Sequence, residues 1–229
     1  MKNLLRSSFI AVLAMSFLFV ADASAQQGEL GKVLRRIEAH NKNLTTMRAG
    51  LTWAKENTQL RETDTKTGDI KYAKRPGKDA LVRIDWTRPS EIISIGDGKY
   101  VLFQPGNKIA YTGSVKNAQK GQTKAASALS FMTMSKAELD SNFDPSYLGQ
   151  GTLSDGTQVA HLKLMPKGKA GFQWAELWVD VDGMPRQTKI VESNNDVSTF
   201  LITKPSKNTP LKKSDFEVSI PSGTDIKKT

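Results

Sequence analysis

His40 and His161 are the only imidazoles in a chain of 229 residues that contains no cysteine. Metal or nucleophilic chemistry would have to be assembled from these two, from hydroxyls, or from carboxylates. Neither histidine has a second one at ligand spacing and no thiolate is present, which argues against a zinc site. No G-x-S-x-G nucleophile elbow occurs. Asp180-Val181-Asp182-Gly183 begins like a calcium loop but runs into Pro185 instead of further oxygen ligands, so it reads as a hairpin turn. The stretch from Gly149 to Ser154, GQGTLS, is close to a phosphate-binding glycine pattern, but no helix follows it and the reading fails on context. Paired carboxylates hydrolyse glycosides where a fold brings them together. Sequence cannot pair them, so a hydrolase stays open on that ground alone. The expectation is a chain that is not an enzyme, with no catalytic residue, metal or cofactor.

The elements around these residues begin with a segment that is to be set aside. Lys2 and Arg6 precede an apolar run from Phe9 to Ala21 that ends in Ala23-Ser24-Ala25, the pattern of a cleaved secretory signal peptide over residues 1–25. The run is shorter than the roughly 20 residues of a membrane span. Residues 26–229 then form a single domain, exported to the periplasm and, without cysteine, neither disulfide-bonded nor lipid-modified. The net charge of +10 falls to +9 once Lys2, Arg6 and Asp22 are removed. Its lysines are spread through turns and strand ends without interleaved aromatics, which sets nucleic acid aside. Weak attraction to anionic lipid and a merely solubilising surface both remain open.

Leu30, Val33, Leu34 and Ile37 recur at helical spacing between charges, which predicts an amphipathic first helix with His40 on its polar side. From Thr46 the period changes to two. Strand-like runs follow one another: IKYAKRP, ALVRIDW, EIISI, KYVLF, KIAYTG, QVAHLKLM, FQWAELWVDV, RQTKIVES, VSTFLIT and FEVSI. Gly96-Asp97-Gly98, Asp155-Gly156 and Asp182-Gly183 supply the hairpin turns. Ten or eleven sequential strands make an antiparallel meander that twist must curl into a barrel or partial barrel. The series is broken by AASALSFMTMSKAELDSNF, read as one or two helices inserted in mid-sheet after a polar loop, Lys116 to Lys124.

The fold class is therefore mainly β with a few helices, and something must fill or cover the concave face. Inward apolar positions are Leu51, Trp53, Val82, Ile84, Trp86, Ile93, Ile95 and Phe103, with Leu129, Phe131, Met132 and Met134 in the inserted segment. Two readings stay open: an ordinary core under the helices, or a lipid cavity under a lid whose flexible methionines repack around varied guests.

The ordered set KRP, IDWTRPSEIISIGDGKYVLFQP, VDVDGMPRQTKIVESNNDVSTF and FEVSIPSGTDI resembles the landmarks of the periplasmic outer-membrane lipoprotein carrier family, LolA, from the first helix almost to Thr229. The resemblance implies an incomplete antiparallel β-barrel of about eleven strands, lidded by helices on its concave face. It also implies a monomeric carrier that takes acylated lipoproteins from an inner-membrane ABC exporter to an outer-membrane lipoprotein acceptor. The family's arginine before a proline, which holds the lid closed by hydrogen bonds to helix backbone, matches Arg75. An exposed strand-edge arginine is the alternative for Arg75, and a non-transport lipid-binding or sensor module on the same fold is the alternative for the chain. The polar insertion, the Gln104-Pro105-Gly106 corner, and Trp174 and Trp178 depart from the family pattern. They leave the cargo open among lipoprotein, glycolipid and other lipid.

Overall fold

The computed structural model describes residues 26–115, 131 and 133–229. The proposed signal peptide, the polar loop at 116–124, Leu129 and Met132 lie outside the described residues. The first element, α1 (residues 26–43), is followed by β1 (Thr46–Asn57), β2 (Glu62–Arg75), β3 (Lys78–Thr87), β4 (Ser90–Gly96), β5 (Lys99–Gln104) and β6 (Ile109–Ser114). After a short helix α2 (Lys136–Asn142) come β7 (Phe143–Thr152), β8 (Gln158–Pro166), β9 (Phe172–Asp180), β10 (Pro185–Glu192), β11 (Val197–Lys207) and β12 (Asp225–Lys228). All the strands join one open sheet in the order β12-β6-β5-β4-β3-β2-β1-β11-β10-β9-β8-β7. The incomplete antiparallel barrel expected from the sequence is thus an open sheet of twelve strands, with β7 and β12 at its edges.

Three details differ from the sequence reading. FEVSI is not a strand: Phe216 ends a 3-10 turn, and the segment crosses the outer face, where Arg83 Nη1 donates to the Glu217 carbonyl at 2.6 Å and Ser94 Oγ to that of Phe216. The twelfth strand is instead the polar Asp225–Lys228, which pairs in parallel with β6. Strand β7 was not anticipated, because Pro145, Gly149 and Gly151 obscure its alternation. The three turn signals fall where hairpins reverse. Asp97 and Gly98 both adopt positive φ, as a tight two-residue hairpin requires. In the β9–β10 turn, Asp180 Oδ1 accepts from the amides of Asp182 and Met184.

Cross-strand register sorts the side chains into two faces. On the inner face, β1, β2, β3, β4, β5 and β11 build a first apolar cluster around Leu51, Ile70, Ile84, Ile93, Phe200 and Ile202. A second cluster joins Leu30, Val33, Leu34 and Ile37 of α1 and Leu139 of α2 to Leu162 and Leu164 of β8 and Ala175, Leu177 and Val179 of β9. Ile190 packs against both. The predicted amphipathic stripe of α1 is therefore the surface it buries. Ser135 and Glu138 cap α2 reciprocally, a capping box readable as S-x-x-E.

The inner end of α1 rests directly on the β9–β10 turn. At Gly183, φ is +85° and an added Cβ would lie 2.1 Å from the Arg36 carbonyl oxygen, so only glycine lets helix and turn meet. Gly183→Ala should destabilise the fold by more than about 1 kcal/mol, lowering the melting temperature by about 3 °C or more. A melt unchanged from wild type would contradict this contact.

One turn further along α1, His40 is not on an exposed polar side as the sequence suggested: it is only 7% exposed, and its Nε2 has no hydrogen-bond partner among the described residues. Burial, and then the charge of Lys207, hold its pKa below the ordinary 6.5, against the smaller pull of Asp180 and Asp182. Because the folded protein resists protonation here, stability is full above pH 6.5 and falls as the pH drops from 6.5 toward the lowered folded value. The aspartates whose pKa values are lowered, Asp155 and Asp182 among them, act in a separate window below about pH 4. Chemical denaturation at pH 7.5 and pH 5.5 should show the loss, and His40→Gln should remove most of it.

Candidate functional site

The site is built from the middle rows of the inner face. Register sets Trp53 of β1 opposite Phe200 of β11, and Phe200 opposite Thr188 of β10. The Trp53 ring stacks on Phe200 with centroids 5.5 Å apart and planes 7° from parallel, while Trp86 tilts against Trp53 at 6.2 Å. Across the sheet, Phe131 meets Phe143 at 5.5 Å and Phe172 at 5.8 Å, tilted and edge-on arrangements that aromatic rings favour. Between the two aromatic groups lies a cavity of about 190 Å³ whose lining includes Phe131, Phe172, Ile190, Glu192, Ser198 and Phe200.

Of the described residues predicted from sequence to line a cavity, Phe131 lines this one and the others do not. Leu51, Ile84, Trp86 and Ile93 are buried members of the first cluster, and half-buried Trp53, Val82 and Ile95 pack against it. Phe131 belongs to the second cluster, and Met134 packs on it. Phe103 is a correction. It pairs with Ile92 and Ala110, and Ile92 in turn with Asp85, so alternation puts it on the outer face although it is buried. Reading KYVLF as one apolar run hid that Tyr100 and Leu102 are its inward residues.

Arg75 ends β2. Its Nε donates to the Asp79 carbonyl at 2.8 Å and its Nη1 to Asp97 Oδ1 at 2.8 Å, tying the end of β2 to the β4–β5 turn. That hydrogen bond, and then the guanidinium charge, hold the Asp97 carboxyl below its ordinary range. The Arg75 Nη2 is buried and has no partner among the described residues. The contact with a lid helix expected from the family resemblance falls on segments only partly within the described residues.

Sequence reasoning missed Phe200, Ile190, Phe172 and Phe143. Alternation in VSTFLIT already sets Phe200 and Ile202 on one face, but only pairing brings Phe200 against Trp53. Polar groups rim the aromatic pair. Lys66 Nζ lies 5.5 Å from the Trp53 ring centre and 3.7 Å from Glu91, which also accepts from Gln104 at 3.1 Å; a cation over an indole face is favoured by the ring quadrupole. The two unexplained tryptophans lie on the outer face, where His161 stacks on Trp178 at 4.2 Å and pairs with Glu176, and Lys163 sits 4.8 Å from the Trp174 ring. His161 is thus part of an outer-face pairing. Among the described residues no group of three or more His, Asp or Glu is arranged to hold a metal ion, and no helix is long and apolar enough to cross a membrane.

The inner face thus presents mainly apolar side chains around the cavity. No curated protein sequence matches the chain. Among solved structures, an uncharacterized conserved protein from Thermus thermophilus is similar at 13% identity and a TM-score of 0.55, covering 88% of this chain and 99% of its own. MucB is similar at 13% identity and a TM-score of 0.56, over 84% of this chain and 63% of its own. A LolA superfamily protein from Nitrosomonas europaea aligns at 12% identity with a TM-score of 0.41, over 82% of this chain and 97% of its own. For the first two, at 13% identity, the likeness is one of fold alone. A family model described as outer membrane lipoprotein carrier protein LolA matches residues 42–219, from the end of α1 past the segment that crosses the outer face. With β1 to β11 inside that match, this chain belongs to the LolA family.

Proposed function

We propose that the protein is a periplasmic carrier that takes the acyl chains of lipoproteins onto the inner face of its sheet and conveys them from the inner to the outer membrane. The observation that carries this reading is the apolar cavity between the Trp53–Phe200 stack and the Phe131–Phe143–Phe172 group. In this reading an inner-membrane ABC exporter loads the protein and an outer-membrane lipoprotein acceptor unloads it. The signal peptide over residues 1–25 directs export, and the carrier works as a monomer.

Magnitudes decide how such a site must work. Cavities of about 150 Å³ admit a guest the size of benzene. The cavity here, about 190 Å³, is too small for an acyl chain. Loading therefore requires side chains that now fill the inner face to move aside. Burying a chain of about 16 carbons at roughly 0.8 kcal/mol per methylene gives about 12 kcal/mol, too much for ready release unless something offsets it. Helical segments that bury the same apolar face before loading supply the offset, because the lipid must displace them. Phe131, Met134 and the neighbouring Leu129 and Met132 belong to the segment assigned this role, and Arg75 to the latch that biases it shut.

A fluorescent fatty-acid probe should bind at micromolar concentration and be displaced by an acylated peptide but not by the peptide without its chain. Absence of displaceable binding would remove the carrier reading. Arg75→Leu should raise apparent lipid affinity roughly 10- to 100-fold, the equivalent of about 1.5–3 kcal/mol for charged-group hydrogen bonds, while slowing transfer to an acceptor. Asp97→Asn serves as the control. If it reproduces the effect of Arg75→Leu, the hairpin tie is responsible and Arg75 is not the latch.

A further inference from the structure

Two buried polar atoms on the inner face have no hydrogen-bond partner among the described residues: Trp53 Nε1 and Thr188 Oγ1. The other such atoms sit on α1, at the end of β2 and beyond β11. Trp53 and Thr188 are instead the two cross-strand neighbours of Phe200, one on each side. Phe200 is a wall of the cavity, and so is Ile190, the next inward residue after Thr188 along β10. Thr188 is 0% exposed. A buried donor left unpaired costs free energy, and native interiors avoid it unless something else completes the bond.

The chemistry of the missing partner follows from the two groups. An indole N–H only donates, so Trp53 needs an acceptor; a threonine hydroxyl also donates to one. Two strand spacings separate their backbones by about 10 Å, so they meet different oxygens. A carboxylate would want a cation, but Lys66 beside Trp53 is already engaged by Glu91 and the cavity lining itself carries Glu192. Neutral carbonyl oxygens attached to apolar chains fit these constraints.

We propose that Trp53 and Thr188 are specificity-determining donors that recognise acyl carbonyl oxygens, so that the site selects ester- or amide-linked chains over ether-linked or free hydrocarbon chains. This rests on the carrier reading and deepens it. The hydrocarbon supplies most of the binding, and the two donors register the point at which each chain joins its head. Without a guest the same two atoms are unpaired, which makes the loaded state relatively more favourable than apolar burial alone.

A matched lipid pair isolates the carbonyl: 1,2-dioctanoylglycerol and its ether counterpart 1,2-dioctylglycerol, each used to displace N-phenyl-1-naphthylamine from the full protein. The ester should displace the probe at a concentration about 10-fold lower or better, as expected for two neutral hydrogen bonds. Thr188→Val and Trp53→Phe should each cut that preference at least three-fold, and together abolish it. Thr188→Val should also raise the melting temperature of the lipid-free protein, because it removes an unpaired hydroxyl from an apolar setting. Equal displacement by both lipids, or an ester preference that survives in the double variant, overturns this inference and leaves the carrier reading standing. Failure of both lipids to displace a probe that binds, or of the probe to bind at all, overturns both.

Discussion

Strand twist forces a sheet of twelve strands to curl, and a curled sheet that does not close must have its inner face covered by something other than itself. The distinctive features of this molecule follow from that constraint. The alternation of β1 to β5 and β11 sends Leu51, Ile70, Ile84 and Phe200 to a common side. Helix α1 reaches only the other half, where it meets β8 and β9 through Val33, Leu34 and Ile37. The join, at Ile190 and Phe200, is where two apolar clusters meet without filling the space between them.

The frame around that join is held by contacts that leave the inner face free. Gly183 lets α1 sit against the β9–β10 turn, which sets the helix at one end of the sheet. On the outer face, the chain from Lys212 to Glu217 ties down the strands through Arg48 and Lys71 to Asp215 and through Arg83 to Glu217. Arg186, 7% exposed, is clamped by the Ile202 carbonyl and the Asp155 carboxylate. Polar and ionic bonds are thus concentrated at the ends and back of the sheet. The inner face is left to interactions without direction, which suits a surface that must accept chains of varied shape.

Against that apolar background, the unpaired Trp53 Nε1 and Thr188 Oγ1 stand out, because the low-dielectric setting raises the cost of leaving them so. A surface evolved only to pack would have phenylalanine and valine there. The same logic explains why the Lys66–Glu91–Gln104 group stays at the rim beside Trp53 and Trp86, where its charges pair with one another near water.

Features that depend on local period and turn chemistry are legible in the chain before any fold is known. The stripe Leu30, Val33, Leu34, Ile37 specified α1 and its buried side. Asp97-Gly98, Asp155-Gly156 and Asp182-Gly183 specified three hairpins, and alternation specified the inward set from Leu51 to Ile95. Where those signals are weak the reading failed: Pro145 and the glycines concealed β7, the exposed residues of β12 have no apolar side to show, and FEVSI alternates without joining the sheet. Phe103 was misassigned because an apolar run does not declare which parity is inward until its neighbours are known. The partners across the sheet come only from its assembly. Trp53 and Phe200 stand near opposite ends of the chain, and Phe131 and Phe172 are separated by two intervening strands, so no local pattern connects them. The cavity, its aromatic walls and the two unpaired donors beside Phe200 exist only once β1, β11 and β10 are laid side by side, because register across strands is set by the packing of the whole face and not by any one strand.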